Sequence, residues 1–193
     1  MKMVDVKNIL NETGSIYHGH FLLESGMHSD TYVECAKMLQ YTWRTKEVGN
    51  EMALRLQRFA PDCILSLTPN GMIIGYEVAR TMDVPFMYLE EDKNGNLLFT
   101  HCLEPAMFKN ILIVQDFIYD EKLVHKAILT LKEWASEPTG LSSMIKMGQI
   151  EKIDGLLVNS IVNIPAKIYE PDACPMCKEG IEIVDVKNLC HDK

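Results

Sequence analysis

Ile111-Leu112-Ile113-Val114-Gln115-Asp116-Phe117-Ile118-Tyr119-Asp120-Glu121-Lys122 is the stretch that decides the fold. Its first four residues are β-branched or leucine, and they follow Lys109-Asn110 without a break. That is the pattern of a strand buried on both faces. The strand ends on an acid, Asp116. A helical pattern follows at once, with Leu123, Ala127, Ile128 and Leu131 on one face. Strand, acidic tip, short loop and helix together place the loop beyond the carboxyl end of a parallel strand, where α/β proteins hold nucleotides and phosphates.

Bulk properties narrow the possibilities. A chain of 193 residues fits one domain, residues 1–193, with a full core or with a small hood attached. Hydrophobic content of 47% and charged content of 24% are ordinary for a globular protein. The net charge of −8 and the lack of a basic stripe argue against a nucleic-acid partner. Every apolar run is far shorter than the roughly 18 residues of a membrane span, and Met1 to Asp5 carry no apolar signal core. A cytoplasmic protein with no membrane partner is therefore expected. Six cysteines in a chain of this length do not make a disulfide scaffold. Cys35, Cys63 and Cys102 sit in or beside apolar segments and read as small buried side chains.

Taken in order, Val4 to Glu12 reads as a helix stopped by Gly14. Gly19 to Ala36 reads as two short strands about Ser25-Gly26. Arg44 to Phe59 is amphipathic, with Val48, Met52, Leu56 and Phe59 at helical spacing, and Pro61 ends it. Cys63 to Leu67 reads as the first core strand, Thr68-Pro69-Asn70-Gly71 as a turn, and Met72 to Met82 as a helix. Pro85 to Leu89 is the next strand, and Glu90 to His101 a projecting hairpin about Asn94-Gly95. After the central strand and its helix, Pro138-Thr139-Gly140 turns the chain, and Leu141 to Met147 and Leu156 to Ile161 are the last strands. The fold class that follows is α/β, a mainly parallel twisted sheet with helices on both faces. Residues 41–154 form its core, and residues 1–40 with 155–193 form a hood and tail.

The central stretch resembles the phosphoribosyl-diphosphate (PRPP) motif of the type I phosphoribosyltransferases. More specifically, Gly19-His20-Phe21, Ser25-Gly26, His28-Ser29 and Tyr32-Val33-Glu34-Cys35-Ala36 are similar to the hood of orotate phosphoribosyltransferases. Gly75-Tyr76-Glu77-Val78-Ala79-Arg80 and the tail Tyr169 to Gly180 extend that resemblance over nearly the whole chain. It implies a homodimer that joins orotate to PRPP in pyrimidine nucleotide synthesis, with Mg²⁺ when PRPP is bound.

The resemblance breaks at the places where the chemistry would happen. The family's strand ends in two acids that hold the ribose hydroxyls, and Gln115 replaces the first, leaving Asp116. The family's Thr-Thr-Gly loop cradles the 5-phosphate, whereas this loop carries Tyr119, Asp120, Glu121 and Lys122. The pyrophosphate turn is poorer in glycine, keeping Asn70 and Gly71. The mobile arm offers Glu90, Glu91 and Asp92 with Lys93 and His101, where the family places basic residues. Lys146 stands near the position of the arginine that holds the orotate carboxylate, without its bidentate fork. A like charge at about 4 Å repels by roughly 1 kcal/mol in water and about 4 kcal/mol at a surface-like dielectric. Two functions follow: a non-catalytic or redirected relative, ligand-binding or regulatory, or an active transferase. No catalytic residue is assigned.

Cys174-x-x-Cys177 is half of a zinc site, and Cys190-His191 would complete a Cys₃His set. The bland alternative, a reduced pair on a tail loop, is favoured here. His20 and His28 read as hairpin histidines that hydrogen-bond backbone, His125 as solvated, and Met3, Met27, Met38 and Met72 as core filler.

Overall fold

The computed structural model describes residues 4–100 and 102–189. The chain opens with helix α1 (Val6–Glu12), strands β1 (Ile16–Leu22) and β2 (His28–Val33), and helices α2 (Ala36–Leu39) and α3 (Thr42–Leu56). Strand β3 (Cys63–Ser66), helix α4 (Pro69–Met82), strand β4 (Phe86–Tyr88) and the short strands β5 (Glu90–Glu91) and β6 (Leu97–Leu98) follow. Next come β7 (Ile111–Ile118), α5 (Lys122–Glu133), β8 (Pro138–Met147), β9 (Lys152–Ile153) and β10 (Leu156–Ile164). The described chain closes with β11 (Ile168–Tyr169), α6 (Pro175–Lys178) and β12 (Val184–Asp185).

Strands β4-β3-β7-β8-β10-β9 form one sheet, parallel at every pairing except β10 with β9. Strand β7 lies inside it and is buried on both faces, as its unbroken aliphatic run requires. Leu112 and Val114 join the core built with α3 and α4, through Met52, Leu56, Ile74 and Val78. Ile111 and Ile113 point the other way, into the core with Val124, Ala127, Ile128 and Leu131 of α5. The period-two alternation of one strand thus organises both layers.

A second sheet, β11-β2-β1-β12, is the hood. Its Phe21, Leu23 and Val33 pack into the same core as α1, α3 and α4. The β1–β2 turn uses Gly26 at φ +86°, a backbone conformation that suits glycine.

Cys102, expected to be a buried side chain, is exposed, and four expectations about the elements need correction. Thr68 to Gly71 is not a free turn: Thr68 caps α4 in extended conformation and Pro69 occupies its first turn, where a missing N–H costs nothing. Pro138 to Gly140 begins β8 instead of turning the chain, with Pro138 opposite Ile111 and Gly140 opposite Leu112. Proline is tolerated at a strand's first residue, and a Cβ on Gly140 would lie 2.7 Å from Leu112 Cδ1. Strand β10, assigned above to the hood, pairs β8 in the large sheet, so the hood's C-terminal part comes from β11 and β12. The hairpin of β5 and β6 does not project. Leu97 is buried against α5, Thr130 Oγ1 donates to the Leu97 carbonyl (3.2 Å), and Lys126 Nζ donates to the Gly95 carbonyl (3.0 Å).

Leu112→Ala opens a cavity in the core that α3 and α4 share with the sheet, and is expected to lower unfolding free energy by about 2–5 kcal/mol in urea titration. Leu157, which is 60% exposed, serves as the control. Its alanine variant should stay within about 0.5 kcal/mol of the parent.

Candidate functional site

The carboxyl end of β7 faces the N-termini of α4 and α5, and the side chains there are bonded to one another. Gln115 is buried, and its Oε1 accepts the Leu67 backbone N–H at 2.9 Å. Its Nε2 lies 3.4 Å from Thr68 Oγ1. That hydroxyl caps α4 by accepting the Gly71 N–H (2.9 Å), and it donates to Asp116 Oδ1 (3.1 Å). Gly71 is needed for close approach and not for a positive φ, since a Cβ there would collide with Gln115 Oε1 and lie 2.7 Å from Thr68 Oγ1. Ser66 Oγ reaches the carbonyls of Gly71 (2.9 Å) and Val114 (2.7 Å) beneath this network. Asn70, half-buried, sits in the first turn of α4.

Asp116 is buried, and the Cys35 thiol also hydrogen-bonds it. Burial pushes its carboxyl up to about 6, against the opposing pull of Thr68, Cys35 and nearby backbone N–H groups. The Cys35 thiol is held well above its ordinary range, first by burial and then by the Asp116 charge.

Above the strand end, rings step from the hood to the loop. Phe21 meets Tyr32 (6.1 Å between centroids), Tyr32 meets Phe117 (6.3 Å), and Phe117 meets Tyr119 (5.1 Å). The Tyr119 hydroxyl bonds Ser25, and Lys122 Nζ donates to the Ser25 carbonyl at 2.9 Å, so the hood turn is fastened to the loop. Burial, followed by nearby acids, holds both tyrosine hydroxyls above their ordinary range. Asp120 Oδ1 accepts the backbone N–H of Lys122 at 3.1 Å. A carboxylate of the chain itself therefore takes an amide at the start of α5, where helix geometry favours an anion. Glu121 is exposed.

Lys93 and Lys146 make no hydrogen bond to this network among the described residues. Lys93 is exposed at the hairpin tip, where Asp92 accepts the N–H groups of Asn94 (2.7 Å) and Asn96 (2.9 Å). Lys146 is half-buried at the carboxyl end of β8, opposite Ile118. His101 lies outside the described residues. Two open grooves, of about 350 and 360 Å³, lie elsewhere. One is lined by Asp30, Gly148, Asn163 and Lys167, the other by Arg55, Arg58 and Asn159.

A second cluster joins residues that the sequence reading kept apart. His20, His28, Cys174 and Cys177 bring one ligand atom each to within 4.8 Å of one another. His20 and His28 were expected to bond backbone. His20 does so through Nδ1, 2.8 Å from the Ile181 carbonyl, while its Nε2 faces His28 Nδ1 at 3.1 Å. His125, expected to be solvated, is exposed and pairs with Asp154 at 2.6 Å. Cys190 and His191 lie outside the described residues.

No family model matches the chain. It is 33% identical over 185 residues to an orotate phosphoribosyltransferase from Caldanaerobacter subterraneus subsp. tengcongensis, covering 95% of this chain and 96% of that one. The chain belongs to the orotate phosphoribosyltransferase family. A second orotate phosphoribosyltransferase, from a Thermoanaerobacter species, is 30% identical over 95% of this chain and 96% of its own length. Among solved structures, the orotate phosphoribosyltransferase from Aeropyrum pernix superposes with a TM-score of 0.65 at 13% identity, covering 82% of this chain and 93% of that one. UMP synthase from Leishmania donovani gives 0.68 at 18% identity, covering 85% of this chain and 37% of that one. At those identities the structures speak to the fold, which is the type I phosphoribosyltransferase fold expected above.

Asp116, buried at the end of β7, provides a pH test. Its folded value lies above the unfolded value, so the native state holds the proton more tightly, and stability falls as pH rises from about 4 through about 6. Asp116→Asn keeps an acceptor for Thr68 and removes the titration. Relative to the parent, the variant should gain about 2–3 kcal/mol of stability between about pH 4 and pH 8, read from urea midpoints. Parallel pH profiles for the two proteins would contradict the assignment.

Proposed function

We propose that this orotate phosphoribosyltransferase-family chain is non-catalytic or redirected, ligand-binding or regulatory, and does not carry out phosphoribosyl transfer. The observation that carries this reading is the Asp120 carboxylate on the Lys122 amide. By resemblance, the loop at that helix N-terminus is where the family holds the 5-phosphate. An anionic ligand there would have to displace a fixed carboxylate and approach a second acid, Glu121. The bonding of Gln115 to Leu67 and Thr68 supports the same reading at the ribose position.

The second reading is a working transferase that makes orotidine 5′-monophosphate and pyrophosphate from orotate and PRPP. The relatives named above carry that enzyme's name, which favours this reading. Under it, Asp116 meets the ribose, Gly71 the pyrophosphate, Lys122 or Lys93 the phosphates, and Lys146 the orotate. Mg²⁺ would come with PRPP. Among the described residues the candidate metal cluster holds two thiols and two imidazoles, a soft set that does not suit Mg²⁺. A homodimer is proposed from the family resemblance. No described helix is long and apolar enough to cross a membrane, and a cytoplasmic location is kept as part of the proposal.

Calorimetric titration with PRPP and Mg²⁺, followed by orotate, separates the two readings. The first predicts no saturable heat with PRPP from folded protein and no loss of orotate on prolonged incubation. Micromolar PRPP binding together with orotidine 5′-monophosphate formation would establish the second.

A further inference from the structure

We propose that His20, His28, Cys174 and Cys177 form a structural zinc site that staples the hood hairpin to the C-terminal tail. These four residues lie outside the strand end of β7.

The distances fit a single tetrahedral ion. Zinc bonds of about 2.3 Å to sulfur and about 2.05 Å to nitrogen set ligand-to-ligand edges near 3.3 Å for N–N and near 3.6 Å for N–S. The structure gives 3.1 Å between His20 Nε2 and His28 Nδ1. It gives 3.5 Å from Cys174 Sγ to His20 Nε2, 3.7 Å from Cys177 Sγ to His20 Nε2, and 3.3 Å from Cys177 Sγ to His28 Nδ1.

Hydrogen bonding alone is a poor account of the same cluster. With Nδ1 donating to the Ile181 carbonyl, neutral His20 has one lone pair left, on Nε2. Three polar atoms converge on that nitrogen. One lone pair cannot serve three donors, whereas all four groups can point their lone pairs at a common ion. The Nδ1–carbonyl bond is also the outer contact that fixes the tautomer of a metal-bound imidazole. Three of the four residues are buried, with Cys174 fully so, which limits exchange with water.

Two thiolates and two imidazoles select zinc over hard cations. Binding releases both thiol protons to solvent and involves no redox change. Four protein ligands leave no open position for catalysis. The consequence is mechanical: β1 and β2 become tied to the segment that carries β11 and β12, the two outer strands of the hood sheet. Residues 28 and 174 are far apart in sequence, so the link closes a long loop, where a clip stabilises most by entropy.

The test uses the full chain, purified without metal-affinity chromatography and analysed by mass spectrometry for zinc. About one zinc per chain is expected. Cys174→Ser and His28→Gln should each lose zinc, while Cys102→Ser and His191→Gln should retain it. Because ligand variants can unfold, a second measurement uses the parent alone. Chelator-treated protein is refilled with Co²⁺, and the expected result is the intense visible absorption of a tetrahedral site with two thiolates. Folded parent protein that lacks zinc after growth in zinc-supplemented medium, and that gives no such Co²⁺ spectrum, would overturn the proposal. Full zinc in Cys174→Ser, or its loss in His191→Gln, would overturn the ligand set.

Discussion

The constraint on which the structure depends is the double-sided burial of β7. A strand inside a parallel sheet has no solvent face, so each of its side chains must be apolar or find a polar partner inside the protein. Ile111 to Val114 meet the first condition by feeding two cores in alternation. Gln115 and Asp116 meet the second. Their partners, Leu67, Thr68 and Cys35, come from the end of β3, the cap of α4 and the N-cap position of α2. The strand end is therefore a junction of three elements held by side-chain hydrogen bonds.

That junction bears on function through competition for the same groups. The N-terminus of a helix in an α/β sheet offers free N–H groups to an anion. Here the Gly71 amide is taken by Thr68 and the Lys122 amide by Asp120. The hood adds a cover of rings and the Lys122–Ser25 bond. On the proposed reading, the bonds at the Gly71 and Lys122 amides occupy groups that an anion in this position would use. The relatives' shared name is the counterweight, since membership in a family of transferases is the plainest reason to expect transfer.

Much of the fold was legible because its signals are local and strong. The Ile111 to Val114 run, the heptad-like spacing in α3 and the Gly26 turn each act within one element. What was misread depended on contacts between elements. Pro138 to Gly140 looks like a turn in isolation, and becomes strand because Gly140 fits under Leu112 and Phe59. The hairpin at Asn94-Gly95 was legible as a hairpin, but its attachment to α5 rests on Lys126 and Thr130, about thirty residues away. Thr68 and Cys35 were missed as partners of Asp116, although Thr68-Pro69 is itself a helix-cap pattern. The histidines were the hardest to read. His20 and His28 bracket a hairpin turn and carry no metal spacing of their own. They meet Cys174 and Cys177 only because the tail returns to complete the hood sheet.

The central proposal is that the strand-end amides of Leu67, Gly71 and Lys122 keep their bonds to the chain's own side chains when PRPP is offered. The most direct measurement is a ¹⁵N–¹H nuclear magnetic resonance titration with PRPP and Mg²⁺, following the amides of Leu67, Gly71 and Lys122. The account predicts that all three stay in place at ligand concentrations that saturate ordinary members of the family. Saturable shifts of the Gly71 and Lys122 amides together would show a phosphate cradle that opens on demand, and would contradict it.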